Sequence, residues 1–181
     1  MKASFQAAWN EERLFLRVEV EDDVPLRRDA FGDVPRERLW ELDECLEVYF
    51  DAFADARKAT IDGFDENDSR YDFAAGSVWR LLAVNWQLAQ GTASATDEEV
   101  AEKLEQTWTP TPTGCVYEIA FAPRYLAPIE LKAGTRASLG LYIHDRDTPQ
   151  DKGENGLSNA TERGKVCNRL PRLWPEFILM P

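Results

Sequence analysis

Arg13-Leu14-Phe15-Leu16-Arg17-Val18-Glu19-Val20 alternates without a break, with Leu14, Leu16, Val18 and Val20 on one face and Phe15, Arg17 and Glu19 on the other. Successive side chains of a strand point to opposite faces, so an apolar period of two marks a half-buried strand, whereas a helix would repeat near 3.6. The polar turn Asn10-Glu11-Glu12 opens the run. The pattern returns at 45–51, where Leu46, Val48 and Phe50 point inward and Glu47, Tyr49 and Asp51 outward. Further strands are expected at 70–75, 78–88, 115–122 and 137–144. Repeated short strands of this kind predict an all-β chain, an antiparallel β-sandwich, folded as one domain over residues 1–181. The expected core holds Leu16, Val18, Val48, Phe50, Ile119, Phe121, Leu141 and Ile143.

Composition narrows the function. The 181 residues carry 33 acidic against 21 basic side chains, a net charge of −12, which repels phosphate backbones and anionic lipid and so argues against nucleic acid and membrane partners. No run approaches the roughly 18 apolar residues of a membrane span, and the first residues lack a signal-peptide core. Cys45, Cys115 and Cys167 are an odd number at wide spacing, which fits structural cysteines rather than a zinc site or a disulfide framework.

Long polar segments at 21–39, 52–69 and 145–170 exceed what hairpins need and are where function is expected. Thr96-Asp97-Glu98-Glu99 reads as a capping box opening a short helix, while 99–108 can also alternate as a strand; helix is expected only before Val100.

Leu39-Trp40-Glu41-Leu42-Asp43-Glu44-Cys45-Leu46-Glu47-Val48-Tyr49-Phe50-Asp51 resembles the core motif of family 9 carbohydrate-binding modules. Trp9 with the turn and strand after it, Glu21-Asp22-Asp23, Asp65-Glu66-Asn67-Asp68 with Tyr71-Asp72-Phe73, 117–121, 139–145 and the closing 174–179 agree in order. The resemblance implies a jelly-roll-like sandwich that is not an enzyme and binds sugar chain ends between two tryptophans. It also implies structural calcium, an extracellular or periplasmic location, and covalent linkage to catalytic or other domains. Trp40 matches the first tryptophan and Glu47 a polar sugar contact. Asn168 stands where the second tryptophan belongs, and Asp72 and Ala74 fall where basic and amide contacts belong. The family's first strand has little counterpart before Phe5, so that edge is expected to be shortened or missing.

Sugars present apolar C–H faces rimmed by hydroxyls, so recognition calls for a flat aromatic ring edged by carboxylates or amides. Trp40 beside Glu41, Asp43 and Glu47 offers both, and Trp86 is a possible replacement platform; Trp9, Trp79, Trp108 and Trp174 read as core. The expected sugar-binding set is Trp40, Glu47, Asp72, Trp86 and Asn168, with a polysaccharide or oligosaccharide as partner. Asp62, Asp65, Asn67 and Asp68 in one loop, and Asp145, Asp147 and Asp151 in another, are closely spaced oxygen donors suited to calcium, although neither loop is an EF-hand. A plain solvated loop is the alternative for each. His144 is the only histidine, which excludes serine and cysteine triads and multi-histidine metal sites within the chain. It reads as a satisfied polar residue at a strand end; Met1, Met180 and His144 are the only residues that could serve a haem-binding sandwich. A glycosidase pair of carboxylates cannot be nominated among so many. The runner-up to sugar binding is a structural or protein-interaction sandwich that has lost the sugar site.

Overall fold

The computed structural model describes residues 1–24, 45–56, 64–65, 67–74, 77–83, 104–148, 155–162, 165–166 and 170–181. Its strands are β1 (Lys2–Trp9), β2 (Leu14–Glu21), β3 (Leu46–Asp51), β4 (Asp68–Ala74), β5 (Ser77–Ala83), β6 (Glu105–Thr111), β7 (Gly114–Phe121), β8 (Arg136–Asp145), β9 (Asn155–Ser158), β10 (Thr161–Glu162), β11 (Lys165–Val166) and β12 (Glu176–Ile178). One sheet has four strands in the order β1-β2-β7-β6. The other has six, in the order β12-β8-β3-β4-β5, with β9 pairing the same edge of β8 as β12. All pairings are antiparallel.

Turn chemistry sets the register. The Asn10 side-chain oxygen accepts from the backbone N–H of Glu12 (2.9 Å) and Arg13 (2.8 Å), closing the turn that pairs Trp9 with Leu14. Gly114 opens β7 at φ +137°, and a Cβ there would lie 2.2 Å from the Val20 carbonyl oxygen, so only glycine fits.

The two sheets bury their apolar faces against each other. Leu16, Val18, Val48, Phe50, Ile119, Phe121, Leu141 and Ile143 all lie in this core, as the alternation predicts, joined by Tyr71 and Phe73. Each such side chain contributes about 1.5–3 kcal/mol relative to exposure. Phe121 packs edge-on against Phe50, Tyr71 and Phe73 at centroid distances of 5.3, 5.1 and 6.1 Å. A four-residue helix, α1 (Pro123–Leu126), brings Tyr125 and Leu126 against one end of the core. There the Tyr125 carbonyl accepts the hydroxyl hydrogen of Tyr71. Trp174 is fully buried, and Trp9 and Trp108 pack partly buried against the core. Cys45 and Cys115 are buried.

The strand within 99–108 begins at Glu105; the expected helix before Val100 lies outside the described residues. No helix among the described residues is long and apolar enough to cross a membrane.

Candidate functional site

Within the six-stranded sheet, β3 and β4 are buried on both faces, as is nearly all of β8. On the side away from the core, Glu47 stands directly between Asp72 on β4 and Tyr142 on β8, and Tyr49 between Arg70 and Gly140. Like charges directly opposite each other destabilise a strand pair, so Glu47 and Asp72 need a cation between them. Arg70, two residues before Asp72 and on the same face, supplies it. Its Nε donates to Asp72 Oδ1 at 2.6 Å, and its Nη2 to Asp72 Oδ2 at 2.8 Å and Glu47 Oε1 at 2.5 Å. His144 Nε2 lies 3.0 Å from the same Glu47 oxygen, and the Tyr49 hydroxyl donates to Glu47 Oε2. The guanidinium also sits 5.7 Å from the centre of the Tyr49 ring. Glu47, Asp72, Arg70 and His144 are 1, 0, 5 and 5% exposed.

One guanidinium divided between two buried carboxylates splits their acidities. Burial pushes Glu47 up, but Arg70, His144 and the Tyr49 hydroxyl outweigh it and hold the group at about 2. For Asp72 burial wins over Arg70, with Glu47 adding repulsion, and the group rises to about 6. At neutral pH Glu47 is therefore a fixed, acceptor-only carboxylate.

Beside this charged cluster lies an aromatic one. Trp174 packs on Tyr49 at 5.1 Å and on Phe64 at 5.6 Å, with Tyr142 and Ala160 completing the patch. Gly140 makes room for it: a Cβ there would stand 2.7 Å from the indole Nε1. Tyr142 in turn meets the His144 ring edge-on at 4.7 Å.

Of the residues expected to contact sugar, the fold thus brings Glu47 and Asp72 together. Trp40, Trp86 and Asn168 lie outside the described residues, as do Asp62 and Asp151 among the calcium candidates. His144 is satisfied at its strand end, as expected, and its Nε2 is taken up by Glu47. Arg70 went unnoticed in sequence, although the period-two pattern that exposes Glu47 to one face places Arg70 and Asp72 on a shared face too.

The calcium candidates divide between two places. Asp65, Asn67 and Asp68 form the turn into β4, where Asp51 and Asp55 approach. Much of this oxygen set is spent within the turn. Asp51 accepts from the N–H groups of Phe53, Asp55 and Ala56, Asp65 from Asn67, and Asp68 Oδ2 from Asp65. Burial, then the carboxylates of Asp65, Asp51 and Asp55, push Asp68 up to about 8. The second place joins Asp147 to Asp22 and Asp23, which sequence reading assigned only to an acidic loop. Their ligand oxygens lie within 4.8 Å of one another, a spread that oxygens coordinating one calcium at about 2.4 Å can span. Asp22 is buried and its Oδ2 has no hydrogen-bond partner. Asp145, at the end of β8, is raised by burial and by the Asp22, Asp147 and Asp23 charges. The donor set is all oxygen, hard and anionic, and fits calcium.

An antiparallel two-sheet sandwich, carrying a polar and aromatic cluster on the outer face of one sheet, defines a β-sandwich binding module. The chain belongs to the carbohydrate family 9 binding domain-like family, whose profile matches residues 1–166, and so to a class of non-catalytic carbohydrate-binding modules. It is similar in structure to a family 9 carbohydrate-binding module from Caldicellulosiruptor kristjanssonii in complex with glucose. That match has a TM-score of 0.64 at 15% identity and covers 97% of this chain and 75% of that one. The same organism's module in complex with cellotriose matches at 0.63 and 15%, covering 98% and 74%. A Bacteroides uniformis protein matches at 0.64 and 15%, covering 97% and 77%. At this identity the likeness establishes a shared fold. No curated protein matches the chain.

Proposed function

We propose that this module binds a neutral glycan, with Trp40 stacking on a pyranose face and Glu47 accepting hydroxyl hydrogen bonds. The observation that carries the reading is the family match over residues 1–166. Arg70, His144 and Tyr49 hold Glu47 ionised but already bond both of its oxygens, and it is 1% exposed, so a sugar reaches it only by displacing one of these donors. Trp40 precedes Glu47 by only a few residues in sequence. Asp72, fully buried, then positions Arg70 rather than meeting the sugar; Trp86 and Asn168 remain the other proposed contacts.

In this reading the chain is an accessory module that targets a secreted polysaccharide-active protein to plant-type or related glycans outside the cell or in the periplasm. Calcium, where bound, is held by Asp22, Asp23 and Asp147 with Asp145 alongside, and ties the end of β2 to the end of β8. The donor chemistry and the orphan Asp22 oxygen support that assignment.

Titration calorimetry against xylan, cellulose and their oligosaccharides tests the reading. One aromatic platform should give millimolar to high-micromolar affinity, about 4–6 kcal/mol. Trp40→Ala should remove this site with the melting temperature unchanged. A wild type that binds none of these glycans would overturn the reading in favour of an interaction domain.

A further inference from the structure

The four-stranded sheet also has an outer face, and the cluster around Glu47 does not use it. An open groove of about 700 Å³ runs across it. The register builds the groove from two cross-strand rows. The first reads Ala8, Phe15, Ala120, Glu105, and the second, two residues along, Gln6, Arg17, Glu118, Thr107. Neighbouring strands lie about 4.8 Å apart, so each row spans about 14 Å, room for more than one pyranose ring.

The first row explains why the ring at its centre is open. Phe15 is 41% exposed, and its neighbours on either strand are alanines too small to cover it. The second row supplies donors and acceptors at close range. Arg17 Nη1 pairs with Glu19 at 2.8 Å and its Nε lies 3.8 Å from Glu118, whose other oxygen is 3.4 Å from the Thr107 hydroxyl. At the end of the first row Arg13 Nη2 pairs with Glu105 at 2.8 Å.

We infer that this face is a second carbohydrate site, in which Phe15 is the stacking platform and Arg17, Glu118 and Glu105 bind the hydroxyls of a neutral oligosaccharide. Charge decides the occupant. Arg13 and Arg17, the cations beside the groove, are paired with carboxylates, and the chain carries −12 overall, so an anionic ligand finds little attraction there. A protein partner would need a desolvated apolar centre, and this face offers one ring between two alanines. Interleaved donors and acceptors around a single exposed ring instead complement a sugar, with its apolar face and hydroxyl rim. The ligand class rests on the function proposed above; the site itself does not depend on Trp40.

Calorimetry and amide-shift mapping with xylohexaose and cellohexaose test the two sites separately. The wild type should bind at two sites, with shifts at 15–17 and 118–120 on the second. Phe15→Ala should weaken that site at least about tenfold while leaving the Trp40 site intact, and Phe15→Trp should retain it. Trp40→Ala should have the reverse effect. Ala8→Arg, at an exposed position directly across the strand from Phe15, lays a long side chain over the ring and should block the second site with Phe15 itself unchanged. Absence of the Trp40 site alone would overturn the function proposed above and not this one: binding that survives Trp40→Ala and vanishes in Ala8→Arg supports the second site by itself. One-site binding unaffected by Phe15→Ala and Ala8→Arg, or self-association abolished by Phe15→Ala with no glycan shifts on this face, would overturn it.

Discussion

Glu47 and Asp72 face each other on adjacent strands, both buried, and both are held by the guanidinium of Arg70. The pair is stable only as a trio. Two opposed carboxylates cannot both ionise in a dry site without a cation, and Arg70 is fixed by three hydrogen bonds and the Tyr49 ring beneath it.

Removing that cation should be costly. Arg70→Met strips two buried carboxylates of the guanidinium they share and is expected to destabilise the fold by about 3–5 kcal/mol in urea denaturation. Adding Asp72→Asn should recover part of the loss, because it removes the repulsion as well. Equal stability of Arg70→Met and wild type would show that the trio carries no structural load.

Stability should depend on pH in two opposed ways. Glu47 is depressed to about 2 from an ordinary 4.5, so the unfolded chain binds its proton more readily, and its contribution is lost as pH falls through that interval. Asp72 is raised to about 6 from 3.8, so the folded chain binds more protons there and stability falls as pH rises through that interval. Glu47→Gln should flatten the acid limb and Asp72→Asn the limb toward pH 6, both read from melting temperature against pH.

Calcium should raise the melting temperature and excess chelator should lower it, since a ligand bound only to the folded state stabilises by mass action, about 2.7 kcal/mol at 100 times its Kd. Asp22→Asn and Asp147→Asn should abolish the shift. Asp68→Asn should leave the shift in place if the ion sits on Asp22, Asp23 and Asp147, although the turn at 65–68 also holds one buried oxygen without a partner, Asp68 Oδ1. A calcium shift lost only in Asp68→Asn would move the ion to that turn.

Gly140→Ala should destabilise by about 1–3 kcal/mol, as overpacking does, because its Cβ meets the rigid, fully buried indole of Trp174. Tryptophan fluorescence and thermal unfolding would register the displaced ring. An unchanged melting temperature would mean that the patch around Tyr49 can yield.

The inward faces were legible because alternation is a local property: Leu14 to Val20 and Leu46 to Phe50 declare a buried side within a few residues, and the core formed where they said. The same pattern showed that Glu47 and Tyr49 point the other way. It could not show that this other face is buried too, because what surrounds Glu47 comes from β4 and β8, residues 23 and 97 positions away. Nor could spacing along the chain bring Asp147 beside Asp22 and Asp23. Strand period is written into each segment by its own side chains. Which strands become neighbours, and so which charges meet, is decided only when the sheets close, and that depends on every segment at once.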